Sequence, residues 1–403
     1  MLLNILIIII ALSLAGFLAF SKRMGKSTYW KAMSTPLASI MGSGFLVSAP
    51  LLGATVGNLA IIFMAILLVL AYFVGGAIRF NIKHFEPIEN SGKGTAQDVA
   101  FLSRAVLIGA YFISVTYYLQ LLAAFALNAI GSKDQIAANI VTSSLLVIIG
   151  GIGMWRGLGM LERLEKYTIA LNLGMIGALI VSLIIYNAGL FTNGTWKLPT
   201  IPSEIDFHGA RVLLGLLIVV QGFETSRYLG DEHPADVRIS SMRSSQIVSG
   251  IIYLLFIGFV TVLFQPNMGA DVTGVISMTM PVAMVLPILL SVAAIGSQFS
   301  ASVADSEGAG GLIEDITHHR LKVRYAYLLI MLVTISITWG TNVNQIIAYA
   351  SRAFALYYAL QCVVAFVVAY EKKQLPKRGL RLFTFSFLAL VCLLVFALGV
   401  PSG

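Results

Sequence analysis

Charge is what this chain has least of. Only 11% of its 403 residues are Asp, Glu, Lys or Arg, and mean hydropathy is +0.90, far outside the profile of a soluble domain. Two cysteines, Cys362 and Cys392, both fall in apolar runs, which leaves no disulfide framework and no cysteine zinc site. No histidine cluster and no nucleophile–base spacing occurs at membrane depth, so an integral-membrane enzyme has little to build on. No nucleotide-binding motif is present to drive a pump.

Long apolar runs fill the space. Twelve are long enough to cross a hydrocarbon core of about 30 Å: about 3–20, 35–56, 57–79, 100–129, 136–155, 166–188, 209–231, 243–265, 281–304, 323–339, 343–370 and 381–400. No segment between them could form a separate soluble domain. The expectation is an all-α, multi-pass protein of the cell membrane, residues 1–403 forming one transmembrane domain.

The net charge of +8 reports topology and not a nucleic-acid partner. With the N-terminus outside, all but five of the 26 Lys and Arg residues lie at cytoplasmic ends or loops. Lys133, Lys197 and Arg211 fall outside, while Arg227 and Arg352 lie at membrane depth. The first apolar run lacks a basic leader and is followed by its positive charges, so it is expected to be a retained helix. Both termini are then expected outside.

Setting aside residues 1–34 and 371–403, each with one extra helix, ten spans divide into two fives, 35–188 and 209–370. An odd number of helices separates their starts, so the two sets have opposite orientation. Each opens with an interrupted helix: Gly42-Ser43-Gly44 in the first and Gln221-Gly222-Phe223-Glu224 in the second. Glycine costs about 1 kcal/mol against alanine in a helix interior, and lipid satisfies no freed backbone group. Paired interruptions in an inverted repeat point to a transporter binding site at mid-membrane.

At the first interruption, backbone N–H groups at Ser43, Gly44 and Phe45 would face a cavity and favour a carboxylate; the alternative is that the glycines serve helix packing alone. Glu224 could hold a substrate ammonium, carry a proton, or pair with Arg227 one turn on. Gln298, Ser302 and Asp305 share one helix face, suited to sodium or, through Asp305, to a proton, unless Asp305 and Glu307 reach the interface and are solvated. Arg352, deep in the eleventh span, calls for a buried partner, with Asp305 and Glu224 as candidates for a salt bridge or a gate. Tyr117, Tyr118 and Gln120 could line the cavity or pack.

These segments resemble the amino acid–polyamine–organocation (APC) superfamily. Gly42-Ser43-Gly44-Phe-Leu-Val-Ser-Ala-Pro50 is similar to its first core helix, and Gln221-Gly-Phe-Glu224 with Gly230-Asp-Glu-His-Pro234 to its sixth. Met154-Trp-Arg-Gly157 leading to Leu164-Glu-Lys-Tyr167 resembles the link into its fifth. The resemblance implies a LeuT-type 5+5 inverted repeat, with substrate held by the backbone at Gly42, Ser43, Gly44, Gln221, Gly222 and Phe223; Phe45, Tyr118 and Glu224 join the expected substrate site from the reading of the residues themselves. It also implies, where sodium is used, an ion between the Ala38 and Met41 carbonyls and Ser302. Val303 stands where related sodium symporters carry a second hydroxyl, and Asn172 where some proton-coupled relatives carry a lysine. The implied function is secondary active transport of a small polar metabolite, an amino acid or related amine, coupled to H+ or Na+ with no further cofactor. Transport of an inorganic cation or metal, or sensing without transport, remains the alternative. Oligomeric state is left open.

Overall fold

The computed structural model describes residues 2–401 except 90–91, 202–204, 231 and 267, with no side chain described for Leu2, Ser43 or residues 159–166. The Ser43 hydroxyl, part of the 159–166 link and Asp231 of the trailing motif therefore lie outside the described residues. Every regular element described is helical. The chain opens with α1 (Leu2–Phe20), a short α2 (Lys22–Lys26) capped by the Ser21 hydroxyl, and then α3 (Thr28–Ser43) and α4 (Phe45–Val56). Gly57, at φ 53, turns the chain into α5 (Ala60–His84). There follow α6 (Thr95–Ala129), α7 (Gln135–Arg156), α8 (Gly159–Thr192) and the eight-residue α9 (Phe207–Leu214). The second half continues through α10 (Ala235–Val260), the short α11 (Gly274–Thr279), α12 (Leu286–Ile316), α13 (Val323–Gly340), α14 (Val343–Glu371) and α15 (Arg378–Leu398).

Eleven stretches are long and apolar enough to cross a membrane, one fewer than expected. The difference is residues 28–84, a 57-residue stretch that contains two of the expected spans. At 1.5 Å per residue it would be roughly 85 Å long if straight, and the turn at Gly57 is what folds it. The ninth span differs more. Its helix runs to Ile316 and not to 304, which carries Asp305 inside a continuous helix.

Local chemistry sets the ends. Asp134 and Asp206 cap α7 and α9 by accepting from Ile136 N and Gly209 N, and Asn342 with Gln345 forms a reciprocal capping box on α14. The C-terminus of α15 is closed by two arginines from other helices: Arg352 Nε donates to the Phe396 carbonyl at 2.7 Å and Arg211 Nε to that of Leu398 at 3.0 Å.

Packing defines two groups. α6 lies against α12 and α14, and α13 against α7, while α10 lies against α5 and α3. α1 docks on α8 at Gly174, where a Cβ would fall 2.6 Å from the Ala11 carbonyl oxygen, so glycine permits the approach. Phe20 at the C-terminal end of α1 meets Tyr167 near the start of α8, and Val400 N donates to the Arg211 carbonyl of α9 at 3.2 Å. In the loops, Lys133 pairs with Asp271 at 2.7 Å. Partial burial pushes the Asp271 carboxyl up, but hydrogen bonds from Lys133 and Thr273 outweigh it and hold the group below its ordinary value.

Candidate functional site

Helix α3 stops at Ser43 and α4 starts at Phe45, so the first interruption is a single residue, Gly44, at φ −132 and ψ −3. Pro36 and Pro50 flank it, each withholding one helix hydrogen bond. Gly44 must be glycine for space: a Cβ there would fall 2.6 Å from the Val219 Cβ. Gly42 has no such constraint, since its Cβ would meet only Ser297 at 3.8 Å. The Gly42 carbonyl accepts a hydrogen bond from Gln298 Nε2 at 2.6 Å, and among the described side chains none caps the N-terminus of α4.

The second interruption is longer. After α9 the chain passes through two tight 3-10 segments, 217–220 and 223–228, separated by Gln221 in extended conformation and Gly222 at φ 113. Here glycine is needed twice over, because a Cβ would also lie 2.7 Å from Ser39 Cβ. Gly44 against Val219 and Gly222 against Ser39 mean that the two interrupted segments cross antiparallel, each glycine admitting the other backbone.

Freed backbone groups at the crossing find side chains, as burial requires. The Tyr253 hydroxyl from α10 reaches both the Ile40 carbonyl, at 3.0 Å, and the Val219 carbonyl. Ser351 accepts from Ile218 N at 2.9 Å and donates to the Gly215 carbonyl at 2.6 Å. One Glu224 carboxylate oxygen accepts from Gly222 N at 2.9 Å and from the Tyr358 hydroxyl at 2.7 Å. Phe223 stacks on Tyr358 with centroids 5.1 Å apart, and Gln221 Nε2 donates to the Tyr118 hydroxyl at 2.9 Å. The Gln221 amide oxygen is buried without a partner among the described residues.

Directly beside the crossing is a cavity of about 50 Å³, enough for a few water molecules. Ala38, Ser39, Asn172, Thr225, Ser297 and Asp305 contribute to its lining. Asp305 is 8% exposed and accepts a hydrogen bond from Ser114 of α6. Among the described residues no cationic side chain pairs with either Asp305 or Glu224. Two carboxyl groups thus sit at membrane depth with hydroxyl and amide partners only. No three of His, Cys, Asp and Glu come together as metal ligands among the described residues.

Residues 22–399, nearly the whole chain, match the APC superfamily transporter family. The chain belongs to that family. It is also similar to an uncharacterized protein of Aquifex aeolicus (strain VF5), 43% identical over 351 residues that cover 85% of each chain.

Within this APC superfamily transporter, the expected site residues divide. Gly44, Gln221, Gly222, Phe223, Glu224 and Tyr118 converge on the crossing. Phe45 turns its ring into Tyr253 and Phe256, at 5.2 and 4.5 Å, leaving only its amide for the interruption. Of the expected coupling residues, Ala38 and Asp305 line the cavity, while Met41, Gln298 and Ser302 do not. The Ser302 hydroxyl donates to the Phe299 carbonyl in its own helix at 2.7 Å. Tyr117 is buried, and the Gln120 amide donates to the Thr338 carbonyl at 3.2 Å; neither lines the cavity.

Three alternatives are corrected. Glu224 does not pair with Arg227, whose guanidinium meets Gln361 and, at 3.5 Å, Glu89; the 3-10 winding and the fold of α5 and α14 carry it away. Arg352 meets neither Asp305 nor Glu224 but caps α15, because its side chain points to the end of the last helix. Asp305 is buried and not solvated at the interface, since α12 extends well past it. Sequence reading missed Tyr253, Ser351 and Tyr358. Ser351 and Tyr358 lie seven residues apart on one face of α14, and Tyr253 follows Ser245 and Ser249 at fourfold spacing on α10, a helical polar face that could have pointed to them.

Proposed function

We propose that this transporter carries an amino acid or related amine by alternating access, coupled to H+ or Na+. The observation that carries the reading is the antiparallel crossing of two interrupted helices beside a cavity holding Asp305 without a countercharge. The uncapped N-terminus of α4 favours a substrate carboxylate at Gly44 and Phe45, and Glu224, three residues past Gln221, favours an ammonium. Asp305 supplies the coupling charge. A carboxylate is costly there, and a proton or a monovalent cation removes the cost. The cavity's Asn172 and Thr225 add neutral oxygen donors suited to a hard cation.

The basic loops would face the cytoplasm and both termini the outside. The cavity lies on the side of the crossing toward Thr35 and Ala304, which is the cytoplasmic side in that orientation. Uptake into proteoliposomes of a panel of labelled amino acids and amines, with imposed H+ or Na+ gradients, tests the proposal. Gradient-dependent accumulation of one such solute supports it; binding without uptake would make the protein a sensor, and uptake of metal ions alone would replace the cargo.

A further inference from the structure

At the end of α5 the protein gathers positive charge that its own carboxylates do not answer. A pocket of about 400 Å³ between α5, α10 and α15 is lined by Arg79, Lys83, His84, Arg243 and Arg381, and by no acidic residue. Its other walls include Phe73, Phe80, Phe385 and Ile239. Arg79 is 7% exposed, yet its partners are neutral: the Gln246 amide oxygen, the Tyr72 carbonyl at 3.2 Å and the Tyr72 ring at 4.9 Å. Arg381 rests on the Phe80 ring at 5.3 Å, and neither Lys83 nor Arg243 has a hydrogen bond or ion pair among the described residues.

Nearby arginines behave differently. Arg238 of α10 grips both oxygens of Glu86, at 2.7 and 3.0 Å, and Arg227 reaches Glu89. Carboxylates are therefore available close by, and the pocket's cations have none. Like charges held together repel, and a low-dielectric wall strengthens the repulsion. An anion would relieve it. Because the helices forming the pocket cross the membrane and its walls are largely apolar, the anion that gains most carries hydrocarbon as well as charge.

We propose that this pocket seats the phosphate headgroup of an anionic phospholipid, with Arg79 and Arg243 facing the phosphate and the apolar wall of Phe73 and Ile239 meeting its first acyl carbons. Basic pockets between membrane helices are suited to such headgroups, each Lys or Arg near the surface contributing a factor of about five in affinity. Free phosphate carries at least as much charge but gains nothing from the apolar wall.

The full chain in neutral detergent is titrated with phosphatidylglycerol, phosphatidylcholine or inorganic phosphate, and bound lipid is counted by native mass spectrometry alongside thermal unfolding. Phosphatidylglycerol is expected to bind and to raise the melting temperature, with phosphatidylcholine doing neither. The double variant Arg243→Gln/Arg381→Gln should weaken phosphatidylglycerol binding about thirtyfold. Lys83→Gln, an exposed change that spares the fold, should weaken it about fivefold. Equal binding of the two lipids, or affinity unaltered in Lys83→Gln, overturns the site. Inorganic phosphate matching the lipid's stabilisation at equal concentration overturns the lipid as occupant.

Discussion

Replacing Gly222 with alanine isolates the crossing of the two interrupted helices. Two costs apply. At φ 113 an L-residue is strained, by about 1–2 kcal/mol on the scale of left-handed conformations. The new Cβ would also press against Ser39 backbone and Cβ at 2.7 Å, and overpacking of this kind costs about 1–3 kcal/mol. Together the change should destabilise the fold by about 2–5 kcal/mol. Gly109→Ala is the control: its Cβ meets nothing within 4 Å and the residue lies inside α6, so alanine should be neutral or stabilise by about 0.5–1 kcal/mol. Thermal unfolding of both variants in detergent, with uptake into proteoliposomes, separates them. Gly222→Ala should melt well below the parent and lose uptake, while Gly109→Ala keeps both. Equal melting of the two variants with intact uptake would refute the close crossing.

Asp305→Asn keeps the side chain's volume and the Ser114 contact while removing its charge, so transport should lose its dependence on the H+ or Na+ gradient; gradient-driven uptake that persists unchanged removes Asp305 from coupling. Tyr253→Phe strands the Ile40 and Val219 carbonyls in a buried setting, at a cost of about 1–3 kcal/mol, read as a lowered melting temperature. Arg352→Met should cost about 1–2 kcal/mol by uncapping α15, yet leave ion dependence of uptake as it was. A changed ion dependence would return Arg352 to the site.

The apolar runs revealed the helices because lipid-spanning segments must be long and uniformly apolar, and the glycines revealed the interruptions because few other residues tolerate them. Gly44 and Gly222 were legible for that reason. What each one touches was not, since the Val219 and Ser39 contacts join residues far apart in the chain. Arg352 misled for a related cause: depth in sequence is not depth in the fold, and the end of α15 comes back to meet it. The boundary of α12 was placed too early because Asp305 and Glu307 lower local hydropathy, although the helix runs on through them. Hydropathy registers the cost of a buried charge but not the cavity that accommodates it.

The side-chain hydrogen bonds show how the packed groups are held and where they are joined. Tyr253 joins α3 and the second interrupted segment to α10, Tyr29 and Ser245 join α3 to α10 again, and Gln246 ties α10 to Arg79 of α5. On the other side, Asp305 with Ser114 and Arg104 with Asp315 tie α12 to α6. The two groups meet most heavily at α14: Ser351 bonds Ile218 and Gly215, Tyr358 bonds Glu224, and Gln361 bonds Arg227 and Asn81 as well as Ser103 of α6. To α6 and α12 the crossing is tied by Gln221 to Tyr118 and by Gln298 to the Gly42 carbonyl, both through neutral amides whose oxygens have no partner among the described residues. If Asp305 is the coupling carboxyl proposed above, it stands on α12, across those two amide contacts from the interrupted backbone. Its charge state would then act on the crossing through α12 and α6, and α14 is the element whose bonds to the second interruption must persist or exchange when the groups move.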